Sequence, residues 1–169
     1  MKLVAIDSDL MGGVASVSFP ERHILSLGWM PLRDGEKGKQ VDAQALYGTL
    51  KTARESGASH AVAEGVFVNM SRKGTPMAGV HNQMQNYGTI RACCHIVFGP
   101  DAYTRAWPSA WKKAMGLSND KEASLRLATD LFPSHSRLFG FKKNAGLAEA
   151  LLMAEWHWQK NCTHVHTGG

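Results

Sequence analysis

Cysteine is scarce in this chain of 169 residues: the three are Cys93, Cys94 and Cys162, two of them adjacent and none in a Cys-x-x-Cys pair. That pattern argues against a disulfide scaffold and a structural zinc site, and it fits a reducing compartment. The tail "CTHVH" puts His164 and His166 just behind Cys162. A closed zinc site needs four well-placed ligands, so the tail is read as a loose terminus. Long apolar runs are missing too. The opening "MKLVAIDSD" meets an acid after a five-residue apolar run, too short for a signal peptide or a membrane span, so a cytoplasmic protein with no membrane partner is expected. There is no long polar tract, no internal repeat and no linker. With 44% hydrophobic residues, one domain with a sizeable core follows.

Acids are the scarcer charge. Fourteen Asp and Glu against nineteen Lys and Arg leave a formal net charge of +5, which points to a polyanionic partner. The basic residues gather at Arg72 and Lys73, at Lys112 and Lys113, and at Lys142 and Lys143. All three pairs are expected in loops or near helix starts, where phosphate contacts are common.

The pattern of elements is that of an α/β protein. "KLVAI" reads as a strand ending at Asp7, "SDLMGG" as a turn, and "VASVSF" and "HILSLGW" as two further strands. "PLRDGEKGKQ" reads as a polar loop. Asp42 caps a helix with Leu46, Leu50 and Ala53 on one face, closed by Gly57. "HAVAEGVF" is a short buried strand with Glu64 inside it, and "SRKGTP" breaks the pattern. Val80, Met84, Tyr87 and Ile90 recur at helical spacing, after which "HIVFG" reads as a strand. A helix starting near Asn119, with Glu122 completing a capping box, runs to Pro133. The last helix covers about 145 to 160, with Leu147, Ala148, Leu151 and Leu152 inward. Strands followed by alternating helix and strand predict a sheet with helices on its faces.

Asp7 and Glu64 interrupt apolar strands, and buried carboxylates are costly unless paired, hydrogen-bonded or metal-bound. Each alone is compatible with an ordinary strand-end hydrogen bond. With Glu149 on the inward side of the last helix they make a set of three oxygen ligands suited to magnesium or manganese. Two such ions, about 3.5 to 4 Å apart, drive phosphodiester hydrolysis and want four or so carboxylates. Glu149 therefore calls for a partner one helical turn away, at 145 or 146.

The segments "VAIDSDLMGGVASV", "VAEGVF", "WPSAWKKAMGLSNDKEASLRLATDLFP" and "GLAEALLMAEW" together resemble the RuvC-type Holliday junction resolvases, most closely the phage-borne branch. The likeness spans nearly the whole chain in the family's order, and the third segment is its most specific part, from Pro108 through Trp111, Lys112, Lys113 and Ser124 to Pro133. It implies a ribonuclease-H-like fold, a mixed central sheet with helices on both faces, over residues 1–160, with 161–169 as a flexible tail. Asp7, Glu64 and Glu149 match its metal ligands, for two magnesium or manganese ions. Phe67 matches an aromatic that opens base pairs at the junction centre. Lys112, Lys113 and Lys121 resemble basic residues near the scissile phosphate. The resemblance further implies a homodimer joined through the helix around Val80 to Cys94, working on four-way junctions in a bacterial or phage-infected cell.

Two departures stand out. The family's last helix opens with a further acid or histidine, whereas this chain has Asn144 and Ala145 there. Either an acid at 145 or 144 has been replaced, leaving a chain that holds substrate without cutting it, or the protein works with fewer carboxylates or only binds. Secondly, "DSDLMGG" stands where the family has "DPG", and Asp9 reads as a turn residue. Another nuclease of the same fold, acting on flaps, forks or RNA–DNA hybrids, remains the enzyme alternative.

Overall fold

In the computed structural model, which describes residues 1–36, 38–66 and 77–162, a five-stranded sheet runs in the order β3-β2-β1-β6-β7. Its strands are β1 (Lys2–Ile6), β2 (Gly13–Ser18), β3 (His23–Trp29), β6 (His60–Glu64) and β7 (Tyr103–Ala106). The first three form an antiparallel meander, and β6 and β7 extend it in parallel from β1. The sheet is therefore mixed.

Alternation along β1 decides what lies on each face. Val4 and Ile6 join one core cluster with Leu46 and Leu50 of α1 (Ala43–Glu55) and Ile90 and Cys94 of α2 (Met77–Phe98). Leu3 and Ala5 join the other, with Trp111 of α3 (Pro108–Ala114), Ala128 of α4 (Lys121–Leu131) and Leu151 of α6 (Ala145–Cys162). A central strand buried on both sides needs a continuous apolar run, and "LVAI" supplies it. Helices thus cover both faces, as the sequence implies.

The Asp42 carboxylate caps α1 by accepting from the Ala45 amide at 3.0 Å. Gly57, at φ +95°, closes it in the left-handed conformation glycine tolerates. Helix α6 is buried on nearly all sides, from Ala145 to Glu155 without a break. At its far end Glu155, fully buried, takes two bonds of 2.8 Å from the Arg22 guanidinium at the β2–β3 turn.

Several expectations need correcting. "HIVF" is the last turn of α2, because Cys94 and Phe98 continue that helix's buried side while Ile96 points outward. "PLRDGEKGKQ" contains a two-stranded ribbon, β4 (Leu32–Gly35) with β5 (Gly38–Val41). Strand β6 ends at Glu64, so that residue closes the strand instead of lying within it. The cap of α4 is Asp120, not Asn119, and α6 runs to Cys162, past the expected start of a tail at 161. Strand β7 and helix α3 were not anticipated. A four-residue helix, α5 (Ser136–Phe139), and a single 3-10 turn at Lys142–Asn144 lead into α6.

Candidate active site

Side-chain parity and strand register bring Asp7 and Glu64 together. Residues 3, 5 and 7 of the first strand share a face, as do 62 and 64 of β6, and both sets face α6. The parallel register pairs Ile6 with Ala63, so Asp7 and Glu64 come level at the C-terminal ends of neighbouring strands. Helix α6 lays Glu149 over the same spot. Asp7 is 4% and Glu149 7% exposed, while Glu64 is half-buried.

Burial, then repulsion from Glu64 and Glu149, pushes the Asp7 carboxyl well above the usual range. Burial likewise raises Glu64, an effect reduced by the bond from Trp111. Three carboxylates held this close call for a cation.

Part of that demand is met by protein. Lys112 Nζ donates to Glu149 Oε1 at 2.9 Å, and the buried Ser124 hydroxyl donates to the same oxygen at 3.1 Å. Trp111 Nε1 donates to Glu64 Oε1 at 3.1 Å, and the Ser8 hydroxyl holds the Glu64 carbonyl at 2.7 Å. With Glu149 turned to Lys112 and Glu64 to Trp111, no three metal-ligating side chains among the described residues converge on one ion position. The all-oxygen donor set and the mutual repulsion fit magnesium or manganese once those two side chains swing over.

The approach of α6 is unusually close. A Cβ on Gly146 would lie 3.1 Å from Asp7 Oδ2 and 2.8 Å from the Gly12 Cα, and one on Gly13 would lie 2.9 Å from the Gly146 carbonyl. Glycine at 12, 13 and 146 lets the start of the helix seat against the turn after Asp7. Asn144 is not turned toward the carboxylates: its Nδ2 donates to the Leu138 carbonyl at 2.6 Å, and it is buried there. Ala145 packs in the core cluster with Leu125 and Phe139. The α6 residue seen to back onto Asp7 is Gly146. Asp9 forms a turn, its carbonyl accepting from the Gly12 amide at 2.9 Å and its own amide donating to Asp7 Oδ1 at 3.2 Å.

Of the other basic residues named from sequence, Lys113 is exposed in α3, so the Lys112–Lys113 pair lies in the last turn of a helix, neither in a loop nor near a helix start. Lys121 is exposed at the start of α4. Lys142 pairs with Glu122 at 3.7 Å, and Lys143 lies 5.8 Å from the Phe141 ring centre. Phe67, Arg72 and Lys73 lie outside the described residues, as do His164 and His166.

Trp111, Ser124 and Ser8 were not read as site residues from sequence. A signal for Ser124 exists: it shares the buried side of α4 with Leu125 and Ala128, a place where serine needs a partner.

No family model matches the chain. Among curated proteins, the chloroplastic Holliday junction resolvase MOC1 of Chlamydomonas reinhardtii is 48% identical over 48 residues, which is 27% of this chain and 5% of that protein. The chain thus spans a small fraction of that relative's length. Among solved structures, Thermus thermophilus RuvC matches with a TM-score of 0.65 at 14% identity, over 97% of both chains. T. thermophilus RuvC in complex with a Holliday junction substrate matches with a TM-score of 0.62 at 13% identity, over 96% of both. The fold is the ribonuclease-H-like fold of RuvC.

Proposed function

We propose that this chain is a metal-dependent endonuclease for branched DNA, acting on four-way junctions as RuvC-type resolvases do. The observation that carries the reading is the meeting of Asp7, Glu64 and Glu149, from two strand ends and a helix, with the Lys112 ammonium 2.9 Å from Glu149. The 48-residue likeness to a Holliday junction resolvase supports the same substrate. The segment from Trp107 to Pro133 favours the phage-borne branch, and a cell interior holding free DNA is the place for such an enzyme. Among the described residues no helix is long and apolar enough to cross a membrane.

Magnesium or manganese, when bound, activates water and offsets charge on the leaving oxygen. The chain's own residues prepare that chemistry. Asp7 and Glu64 are carried by the sheet and Glu149 by a buried helix, so the backbone needs little reorganisation, and only the Glu64 and Glu149 side chains would turn from Trp111 and Lys112 toward an ion. Trp111 and Ser124 orient the carboxylates, and Lys112 places a cation where phosphate charge grows. Three carboxylates less one ammonium would balance a single divalent ion, and a second would need the added negative charge of a bound phosphate. A symmetric junction is best served by a homodimer. The outward side of α2, with Met84 at 46% and Ile96 at 71% exposure, supports that helix as the interface.

A binding-only reading is favoured by one feature, the absence of an acid at Asn144, Ala145 and Gly146. Labelled four-way junction and linear duplex, incubated with magnesium or manganese, separate the two readings. The unmodified chain is assayed beside Ala145→Asp and Asn144→Asp. Paired nicks in the junction, made by the chain itself or gained in a variant, establish the nuclease. Tight junction binding without cutting in all three chains leaves a binding protein on a nuclease fold.

A further inference from the structure

Beside the carboxylates stands a second chemical feature that hydrolysis does not use. Arg105, on β7, lies with its guanidinium carbon 4.6 Å from the centre of the Trp107 ring. Both side chains are exposed, the indole at 39%. The pair is rooted against the strand that carries Glu64: the Gly65 amide donates to the Ala106 carbonyl at 2.7 Å. A Cβ on Gly65 would lie 2.9 Å from Arg105 Cγ and 3.0 Å from Trp107 Cε3. Glycine at 65 thus allows the two side chains to rest directly on the backbone next to Glu64, which places them beside the strand end that carries this carboxylate. A cleft of about 270 Å³, lined by Ser8, Asp9, Glu64, Gly65, Gln83 and Pro108, opens at this point. Pro108 follows Trp107 in the first turn of α3, the helix whose Trp111 and Lys112 hold the carboxylates.

We propose that the Arg105–Trp107 pair is a platform for one unpaired nucleobase beside the cleavage site, resting on the reading of the protein as a branched-DNA enzyme. A flat indole tolerates any base. The guanidinium beside it offers a planar N–H fork to a neighbouring phosphate. A fully stacked duplex offers no free base face to such a ring, while strands parting at a branch do. The platform therefore favours branched over linear DNA through a residue outside the carboxylate site.

The test uses a four-way junction carrying 2-aminopurine at a nucleotide next to the branch, and a paired duplex carrying it internally, both with calcium in place of magnesium. The full chain is compared with Trp107→Ala, Trp107→Phe and Arg105→Lys. Expected is quenching of the junction probe by the unmodified chain. Trp107→Ala loses this quenching and binds the junction about tenfold more weakly, while Trp107→Phe retains most of both. Duplex affinity stays unchanged in all. Arg105→Lys, which keeps charge and loses the planar fork, lies between. Quenching that survives Trp107→Ala at full affinity overturns the platform while leaving the nuclease reading intact, and so does an equal loss of affinity on linear duplex. If the unmodified chain binds junction no better than duplex, both fall. Should Trp107→Ala fail to fold, the graded response of Trp107→Phe and Arg105→Lys decides the question.

Discussion

At the scale of single residues, the carboxylate site trades stability for readiness. Asp7 is buried beside two other acids, and its raised pKa has a definite sign in folding. The folded state favours the protonated acid, so the metal-free protein loses stability as pH rises from the ordinary aspartate range through the folded-state value. Asp7→Asn removes that loss. Its melting temperature in EDTA is expected to exceed that of the unmodified chain by a few degrees at pH 7.5 and to match it at low pH, while cleavage falls by roughly a hundredfold or more. Equal melting curves at pH 7.5 would show that Asp7 is not under electrostatic load. Lys112 makes the complementary case. Lys112→Met frees Glu149 for an ion, so manganese binding by calorimetry is expected to tighten about tenfold. Without metal the variant is less stable by roughly 3 kcal/mol, because a buried carboxylate has lost its partner. Unchanged manganese affinity would place Lys112 outside the site's charge balance.

At the scale of elements, the sheet's far end holds a contact of the opposite sign. His60, at the start of β6, stacks on His157 of α6 with ring centres 4.5 Å apart, and His60 Nε2 lies 2.8 Å from the Thr104 hydroxyl. Burial, with His60 and Lys160 nearby, lowers His157 to about 4, and burial lowers His60. The folded state favours neutral rings, so this contact is intact above about pH 6.5 and is lost as pH falls toward 4. His157→Phe keeps a ring and removes the titration. Its melting temperature should fall less between pH 7 and 5 than that of the unmodified chain, and parallel curves would refute the assignment.

How far the elements were legible follows from how their residues satisfy themselves. β1, α1 and α6 were readable because burial writes an unambiguous apolar pattern. "HIVF" misled because β-branched and aromatic residues favour strands in isolation, yet here they finish a helix already propagated from Met77. The β4–β5 ribbon was hidden because it relies on pairs such as Lys39 to Asp34 at 2.7 Å instead of an apolar face. β7 is four residues long with two polar members, too short to register. Asp7, Glu64 and Glu149 stood out as acids in apolar surroundings. Gly146 did not, because its importance is the close approach of two backbones, which a sequence does not display.

At the scale of the molecule, the proposed function makes charge the term that governs encounter with DNA. A net charge of +5, with exposed lysines at 113, 121, 142 and 143, predicts junction affinity that falls steeply and linearly in log–log terms with salt, while shape discrimination persists. Removing Lys142 and Lys143 together should flatten that slope by about two units for junction and duplex alike. An unchanged slope would take this segment out of the interface.

Helix α6 joins these scales. Its first turn presses on the loop after Asp7, its middle carries Glu149, and its far end is tied by Glu155 to Arg22 and by His157 to His60. Such a helix has no low-energy way to open alone. Its central amides should therefore exchange with deuterium only when the whole domain unfolds, and thermal loss of the carboxylate site should coincide with loss of the sheet, with no partly unfolded state in which the site is gone and the scaffold survives.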